Sequence, residues 1–271
     1  MRRPDALLVA VAACLVVAGC SRLSFVKPKL ERGGYTQVAP DYTVRDDPDA
    51  RQRLAALDRV ALAEERLRAG DLDAAESQAR AALAADAGLA GAHTVLGLVA
   101  DRRGDAPDAG NHYARAAELA PERGSTLNNY AAWLCRNGRQ PESLALFNRA
   151  LRDPGYDTPA IALANAGACA LETGRTTEAE RDLRKALELD PRNPTALAAM
   201  ARLSFQGGDY LQARAFSQRR LAAAPATGKV LLLASQIEQK LGDSAAMARY
   251  VRTLKAEFPD TQAPRGDESQ Q

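Results

Sequence analysis

The 271-residue chain carries 36 lysine and arginine side chains against 34 aspartate and glutamate side chains, which gives a formal net charge of +2. These charges are interleaved, which argues against a nucleic-acid partner, because binding through phosphate neutralisation needs a clustered basic face. Aromatic residues make up only 5% of the chain, whereas alanine, leucine, arginine and glutamate, which favour helices, are abundant. The composition therefore predicts an all-α protein.

Residues 1–19 are predicted to be a lipoprotein signal peptide. An apolar run from Ala6 to Ala18 follows two arginines, and it is too short to span a bilayer as a helix. The run ends in Val17-Ala18-Gly19-Cys20, which resembles a bacterial lipobox, with small residues before the cut and a cysteine whose thiol takes a diacylglyceryl group. We therefore expect lipidation of Cys20. The alternative is ordinary signal-peptide cleavage in which Cys20 is incidental.

Residues 20–46 are predicted to be a lipidated, flexible tether. They contain prolines, a Gly-Gly pair and mixed charges without a sustained apolar period, and a flexible chain of this length reaches about 30 Å. Several acyl chains hold a bacterial lipoprotein stably on a membrane. Ser21 stands where an aspartate tends to retain bacterial lipoproteins at the inner membrane. We therefore expect the periplasmic face of the outer membrane.

One unit recurs through residues 47–259. A glycine that closes the first helix of each unit recurs at intervals of 34, 34, 36, 34 and 34 residues. The six glycines are Gly70, Gly104, Gly138, Gly174, Gly208 and Gly242. Because this is the period of tetratricopeptide (TPR) repeats, we predict a right-handed superhelical solenoid of six TPR helix-turn-helix repeats, each with a first helix A and a second helix B. The polar residues 260–271 are predicted to be disordered.

Small and large residues recur at fixed positions of the repeat. When the glycine is numbered 15, position 8 is always small and position 20 is small in every repeat but the last, where it is Met247. Position 24 is large in the middle repeats, where it holds Tyr113, Phe147 and Leu183. This pattern predicts close approach of the two helices in each hairpin.

The central repeats resemble a known family. The segments concerned are Asn128-Asn129-Tyr130, Leu134-Cys135, Gly138-Arg139, Asp153-Pro154-Gly155-Tyr156, Asn165-Ala166-Gly167, Cys169-Ala170, Leu241-Gly242-Asp243 and Phe258-Pro259. They are similar to positions of the type IV pilus biogenesis lipoproteins PilF and PilW. The aspartate-proline-glycine-tyrosine turn also accounts for the two extra residues of the 36-residue interval. Ala131 and Ala132 are a mild departure from that pattern.

The sequence offers no candidate for catalysis, metal binding or a cofactor. The two histidines, His93 and His112, are predicted to be packing or surface residues, and no cluster of ligands with metal-site spacing accompanies them. Phosphate-binding loops and nucleophile elbows are missing from the sequence. A carboxylate clamp would need a trio of basic side chains across three repeats, which the sequence also lacks. We therefore expect neither an enzyme nor a small-molecule substrate.

A partner groove is predicted on the A helices, whose positions 2, 5, 9, 12 and 13 line the concave face of a TPR stack. The predicted groove residues are Leu57, Val60, Leu67, Leu98, Asn128 and Arg136. Four of these are aliphatic, and exposed apolar patches mark partner sites. The alternative is that the N-terminal tether covers the aliphatic residues.

Cys135 and Cys169 are the two cysteines of the repeats. They lie on the A helices of adjacent repeats, and the expected compartment is oxidising, so a disulfide between them is predicted. The alternative is that both are small, buried packing residues.

The resemblance implies a pilotin, which is an outer-membrane lipoprotein that binds the secretin subunit of the type IV pilus machine. Such a protein promotes the localisation or multimerisation of the secretin in the outer membrane. The expected partners are the secretin and, through Cys20, the outer-membrane lipid. The alternative function is a general periplasmic TPR adaptor that recruits cell-wall enzymes or outer-membrane assembly factors.

Overall fold

The computed structural model describes residues 47–261. The predicted signal peptide, the predicted tether with Cys20 and residues 262–271 of the predicted tail lie outside the described residues. Within residues 47–261 twelve α-helices pair in chain order into six hairpins. They are α1 (Pro48–Arg68), α2 (Leu72–Ala85), α3 (Ala90–Arg103), α4 (Ala106–Leu119), α5 (Gly124–Arg136), α6 (Gln140–Ala150), α7 (Pro159–Glu172), α8 (Thr176–Leu189), α9 (Pro194–Gln206), α10 (Tyr210–Ala223), α11 (Gly228–Lys240) and α12 (Ser244–Glu257). The prediction of six helical hairpins is confirmed.

The six marker glycines end the A helices, as the sequence predicts. Each has a positive φ, between 74° and 82°, a left-handed conformation that glycine adopts without the steric cost other residues incur. The turn after the glycine is short, and an aspartate caps the next helix in four of the repeats. The side chains of Asp71, Asp105, Asp209 and Asp243 each accept a hydrogen bond from the backbone N–H three residues further on. Such caps typically contribute about 1 kcal/mol each.

The two helices of a hairpin meet where position 8 lies against position 24. A Cβ atom on Gly97 would lie 2.8 Å from the ring of Tyr113, and one on Gly167 would lie 2.7 Å from the Leu183 side chain. Tyr113 and Leu183 are themselves fully buried. The small residue therefore makes room for the large one, which is the physical basis of the recurring pattern.

Consecutive hairpins stack so that A helices α1, α3, α5, α7, α9 and α11 are neighbours. The contact between α4 and α5 shows how tight this stacking is. A Cβ atom on Gly110 would overlap the indole ring of Trp133, whose Nε1 donates a hydrogen bond to the carbonyl oxygen of Ala106 at 3.2 Å. The stack places one face of every A helix on a common surface.

Two residues near the C-terminal end of the described region bear on the predicted repeat pattern and on the predicted tail. Met247 at position 20 of repeat six is half-buried, while its neighbour Ala246 is buried. Thr261, assigned by its sequence to the tail, donates its backbone N–H to the carbonyl oxygen of Phe258 at 2.9 Å.

Between residues 47 and 261 no helix combines the length and the apolar character needed to cross a membrane.

Candidate functional site

A groove with a volume of about 660 Å³ lies on the A-helix face of repeats four to six. We call it the C-terminal groove and define it by Ala168 and Glu172 of α7, Ala198, Arg202 and Phe205 of α9, and Val230 and Leu232 of α11. Its α9 residues occupy positions 5, 9 and 12 of repeat five, and Leu232 is position 5 of repeat six. The groove therefore follows the register of a concave TPR lining.

The middle of the C-terminal groove is open because its central positions carry small side chains. Ala168 and Ala198 leave space between α7, α9 and α11, and the larger apolar side chains Phe205, Val230 and Leu232 stand around this space. These three residues are only partly buried. A surface of this kind, concave and apolar, is suited to the side chains of another polypeptide.

Arg202 supplies a charge inside this apolar surface. One terminal nitrogen, Nη1, lies 3.8 Å from Oε1 of Glu172, and the other, Nη2, donates to the carbonyl oxygen of Ala168 over 3.5 Å. Both contacts are long for hydrogen bonds. The Nε atom is buried and has no hydrogen-bond partner among residues 47–261. The guanidinium of Arg202 is therefore held loosely and is incompletely satisfied.

Two further cations line the groove. Arg220 of α10 donates from Nη1 to the carbonyl oxygens of Ala224 and Pro225 at 3.0 and 3.2 Å, and burial lowers the pKa of its guanidinium. Lys229 lies at the exposed start of α11. Arg220 is thus tied to the backbone, whereas Lys229 and Arg202 face the groove.

Comparison with known proteins identifies the family. Tetratricopeptide repeat models match residues 122–192 and 170–237. The solved structure of PilW, a widely conserved type IV pilus biogenesis factor, is 30% identical, superposes with a TM-score of 0.66, and is matched over 75% of this chain and 94% of its own. The chain belongs to the PilF/PilW family of type IV pilus biogenesis TPR proteins. The all-α TPR superhelix predicted from the sequence is thereby confirmed.

PilF of Pseudomonas aeruginosa, a type IV pilus assembly protein, is a further relative. It is 25% identical over 193 residues, which cover 71% of this chain and 77% of PilF. Its solved structure superposes with a TM-score of 0.65 at 24% identity, over 77% of this chain and 94% of the other. The chain is therefore a TPR protein of pilus biogenesis, a class that acts through protein–protein contacts.

The groove predicted in repeats one and two of this PilF/PilW member is largely filled. Val60 and Leu67 are only 8% and 6% exposed and belong to the core that packs α1 against α3. Gly91 of α3 allows this packing, because a Cβ atom there would lie 3.0 Å from the Val60 side chain. Leu98 is half-buried against the same core. The prediction that Val60 and Leu67 line an open groove is wrong.

Leu57 differs from Val60 and Leu67 because its side chain is exposed. It is 46% exposed on α1, and Leu54, which the sequence analysis did not single out, is 61% exposed one turn before it. These two leucines form a small exposed apolar patch at the start of the solenoid.

The two polar residues of the predicted groove have partners within the protein. Asn128 is buried, and its Oδ1 accepts a hydrogen bond from Nδ2 of Asn165 in the next repeat at 3.1 Å. It joins repeats rather than lining an open surface, so its assignment to the groove is wrong. Arg136 is exposed, as predicted, but pairs with Asp101 of the preceding repeat.

Cys135 of α5 and Cys169 of α7 are joined through their sulfur atoms, with 5.9 Å between their Cα atoms. This separation lies within the range that a disulfide requires, below about 7 Å. The bridge crosses between the A helices of repeats three and four, immediately beside the C-terminal groove that begins on α7.

His93 of α3 and His112 of α4 are half-buried, with their Nδ1 atoms 3.0 Å apart. Burial lowers the pKa of His93, and the charges of His112 and Arg115 lower it further. Across the part of the chain that the structure describes, no three His, Cys, Asp or Glu side chains come together as a metal site.

The C-terminal groove was not among the groove residues predicted from the sequence, although the register of the repeat indicates it. Positions 12 of repeat five and 5 of repeat six hold Phe205 and Leu232, which are as apolar as the residues singled out in repeats one and two. Applying positions 5, 9 and 12 to every repeat would have found them.

Proposed function

We propose that this protein is a pilotin, a lipid-anchored scaffold that binds the secretin subunit of the type IV pilus machine. In this proposal it promotes the localisation and multimerisation of the secretin in the outer membrane. The observation that carries the proposal is the open, apolar C-terminal groove in a chain that belongs to the PilF/PilW family. A scaffold of this family needs a surface for another protein, and this groove meets that need.

The anchor in this proposal is the acylated Cys20. The lipobox Val17-Ala18-Gly19-Cys20 supports it, and Ser21 supports an outer-membrane location. Helix α1 begins at Pro48, so 27 residues (20–46) separate the lipid from the solenoid. A flexible segment of that length lets the solenoid search about 30 Å around its anchor, which suits the capture of secretin subunits arriving at the membrane.

The concave face is the surface proposed to recognise the secretin. The C-terminal groove is open rather than enclosed, and it is lined by residues from four helices. A concave, apolar surface of this kind on the A-helix face suits a polypeptide segment, whose apolar side chains can lie along it. Apolar side chains of the segment would fill the space above Ala168 and Ala198.

The test is complementation of a strain that lacks the gene. We expect deletion to remove secretin multimers from the outer membrane, while other outer-membrane proteins remain at normal levels. Complementation with Leu232→Asp, which places a charge in the groove, should leave multimers scarce. Complementation with Leu211→Asp should restore them, because Leu211 is 69% exposed on α10 and does not line the groove.

Two outcomes would overturn the proposal. Normal secretin multimers in the deletion strain would remove the pilotin role. A general loss of outer-membrane proteins would instead favour the periplasmic adaptor that recruits assembly factors. Circular dichroism of Leu232→Asp and Leu211→Asp checks that both variants keep their helical content, so that a lost function is not a lost fold.

A further inference from the structure

The charges that line the C-terminal groove are unbalanced. Arg202, Arg220 and Lys229 are cations, whereas Glu172 is the one anion among the described lining residues. Arg220 is engaged by two backbone carbonyl oxygens, so it is not available to a ligand. Arg202 and Lys229 remain, and Glu172 lies too far from Arg202 to neutralise it through a hydrogen bond.

Arg202 occupies the middle of the groove, with apolar residues on both sides. Its side chain is 39% exposed, so the guanidinium can be reached from the groove, but its Nε is already removed from solvent without a partner among residues 47–261. A guanidinium in that state gains strongly from a carboxylate, because planar N–H groups and carboxylate oxygens form charge-assisted pairs, and these pairs strengthen where water is excluded.

We propose that the C-terminal groove binds an apolar segment of a protein partner that carries one carboxylate side chain, which Arg202 receives. The proposal rests on the proposed function only in taking the partner to be a protein. The apolar side chains of the segment lie along Phe205, Val230 and Leu232, and the carboxylate reaches the terminal nitrogens of Arg202. Lys229 attracts the acidic segment at the mouth of the groove.

Glu172 provides a second test of this arrangement, because its neutralisation should have the opposite effect on binding to that of Arg202. Its Oε1 lies on the Arg202 side of the groove, and its side chain is 45% exposed. A carboxylate bound at Arg202 is repelled by Glu172, so neutralising Glu172 strengthens binding while neutralising Arg202 weakens it. A role of the pair in folding alone would make both substitutions act in the same direction.

In the experiment, the purified full-length protein is held in detergent, and dodecapeptides that bind it are selected from a random peptide-display library. The affinities of the selected peptides are then measured by fluorescence anisotropy. We expect selected peptides to combine leucine, isoleucine or phenylalanine with one aspartate or glutamate. Replacing that acid by its amide should weaken binding to the unmodified protein by about tenfold, the size expected of one charged hydrogen-bonded contact. The same replacement should change binding to Arg202→Gln by less than about twofold.

Glu172→Gln should bind the acidic peptides more tightly than the unmodified protein does. The matched control is Arg252→Gln, since Arg252 is an exposed arginine of α12 outside the groove, and it should leave affinity unchanged. Leu232→Asp should abolish binding. Selected peptides without an acid, or an acid whose removal costs as much in Arg202→Gln as in the unmodified protein, would overturn the proposal.

Two other occupants of the groove have distinct results. If peptides bind only after residues 262–271 are deleted, the groove is covered by the chain's own end, and the proposal fails. If sedimentation shows a dimer that Leu232→Asp disperses, a second copy fills the groove, and the proposal fails likewise. None of these measurements involves the secretin. The pilotin proposal can therefore fail in the deletion strain while the carboxylate site is upheld in the binding assay, and the reverse can also occur.

Discussion

Asp153 Oδ2 accepts a hydrogen bond from the backbone N–H of Gly124 at 2.7 Å, and so a loop after α6 caps the first turn of α5. Oδ1 of the same carboxylate accepts from the N–H of Gly155 at 2.8 Å. Tyr156 closes this arrangement, because a Cβ atom on Gly124 would lie 2.7 Å from it. The two extra residues of the 36-residue interval thus build a clamp within repeat three, which ties the start of its A helix to the loop that leads into repeat four.

Removing this clamp should destabilise the solenoid. Asp153→Ala deletes an acceptor for two backbone N–H groups, so it should lower the free energy of unfolding more than the loss of an ordinary surface carboxylate does. Urea unfolding followed by circular dichroism measures the change in free energy of unfolding. Asp157→Ala is the matched control, since Asp157 is exposed in the same loop, and it should stay within about 0.5 kcal/mol of the unmodified protein. Equal effects of the two substitutions would contradict the capping role.

The repeat architecture could be predicted from the sequence because the same pattern of residue types recurs in each repeat. The left-handed conformation at Gly104 or Gly208 and the space that Gly97 leaves for Tyr113 are local requirements. They depend on residues within one hairpin, so spacing and residue size are sufficient to reveal them.

The register of the repeat gives candidate groove residues in every repeat, but which of them are exposed could not be predicted in the same way, because exposure depends on neighbouring repeats. Val60 has the position and the residue type of a groove residue, but α3 packs over it where Gly91 carries no side chain. In repeats four to six, Ala168 and Ala198 keep the same face open. The long distances from the Arg202 guanidinium to Glu172 and Ala168 could not be predicted either, because they depend on how α7 and α9 pack.

The core placement of Val60 leads to a second prediction. Val60→Asp should lower the free energy of unfolding by about 3 kcal/mol or more, because it buries a carboxylate without a partner. Leu57→Asp should change it by less than about 0.5 kcal/mol, since Leu57 is 46% exposed on the same helix. Thermal and urea unfolding of the two variants provide the comparison. If Leu57→Asp unfolds the protein as Val60→Asp does, the exposure assigned to Leu57 is wrong.

The bridge between Cys135 and Cys169 should contribute strongly to stability. It closes a loop across a sequence separation of 34 residues, and the chain-entropy model gives roughly 4 kcal/mol for a loop of that size. The double variant Cys135→Ser/Cys169→Ser should unfold at lower urea concentration than the oxidised protein. Reduction of the unmodified protein should produce nearly the same loss.

Alkylation of the denatured, unreduced protein, followed by peptide mass spectrometry, tests the bridge directly. Peptides that contain Cys135 and Cys169 should carry no label before reduction and full label after it. Labelled Cys135 and Cys169 in the unreduced sample would show two free thiols, as the alternative of separate packing residues requires.

Stability should also depend on pH through His93. Its pKa is lowered in the folded protein by burial and by His112 and Arg115, so the unfolded chain takes up a proton at a higher pH than the folded chain does. The free energy of unfolding should therefore fall as pH drops below about 6.5, the ordinary pKa of histidine. His93→Gln should remove this part of the pH dependence, as measured by urea unfolding between pH 8 and pH 5.

Two carboxylates provide controls for the pH dependence assigned to His93. His112 and Asp108 face each other on α4, with 3.8 Å between Nε2 and Oδ1, so Asp108→Asn tests whether that carboxylate shapes the same slope. Asp153 provides a contrast, because hydrogen bonds from Gly124 and Gly155 lower its pKa from 3.8. Asp153→Asn should change the pH dependence only below about pH 4–5. A slope between pH 8 and pH 5 that survives His93→Gln would contradict the assignment.

The last prediction concerns the anchor at Cys20, which lies outside the described residues. Acylation requires the thiol, so Cys20→Ser should leave an uncleaved precursor or a soluble species, whereas we expect the unmodified protein to fractionate with the outer membrane. Cys14→Ser is the matched control, because Cys14 lies in the apolar run that leaves with the signal peptide, and this variant should remain acylated and membrane-bound. Fractionation shows the location, and mass spectrometry of the mature N-terminus shows the acyl chains. An unmodified cysteine at that N-terminus would mean ordinary cleavage, and the solenoid would then lack the lipid that the pilotin proposal requires.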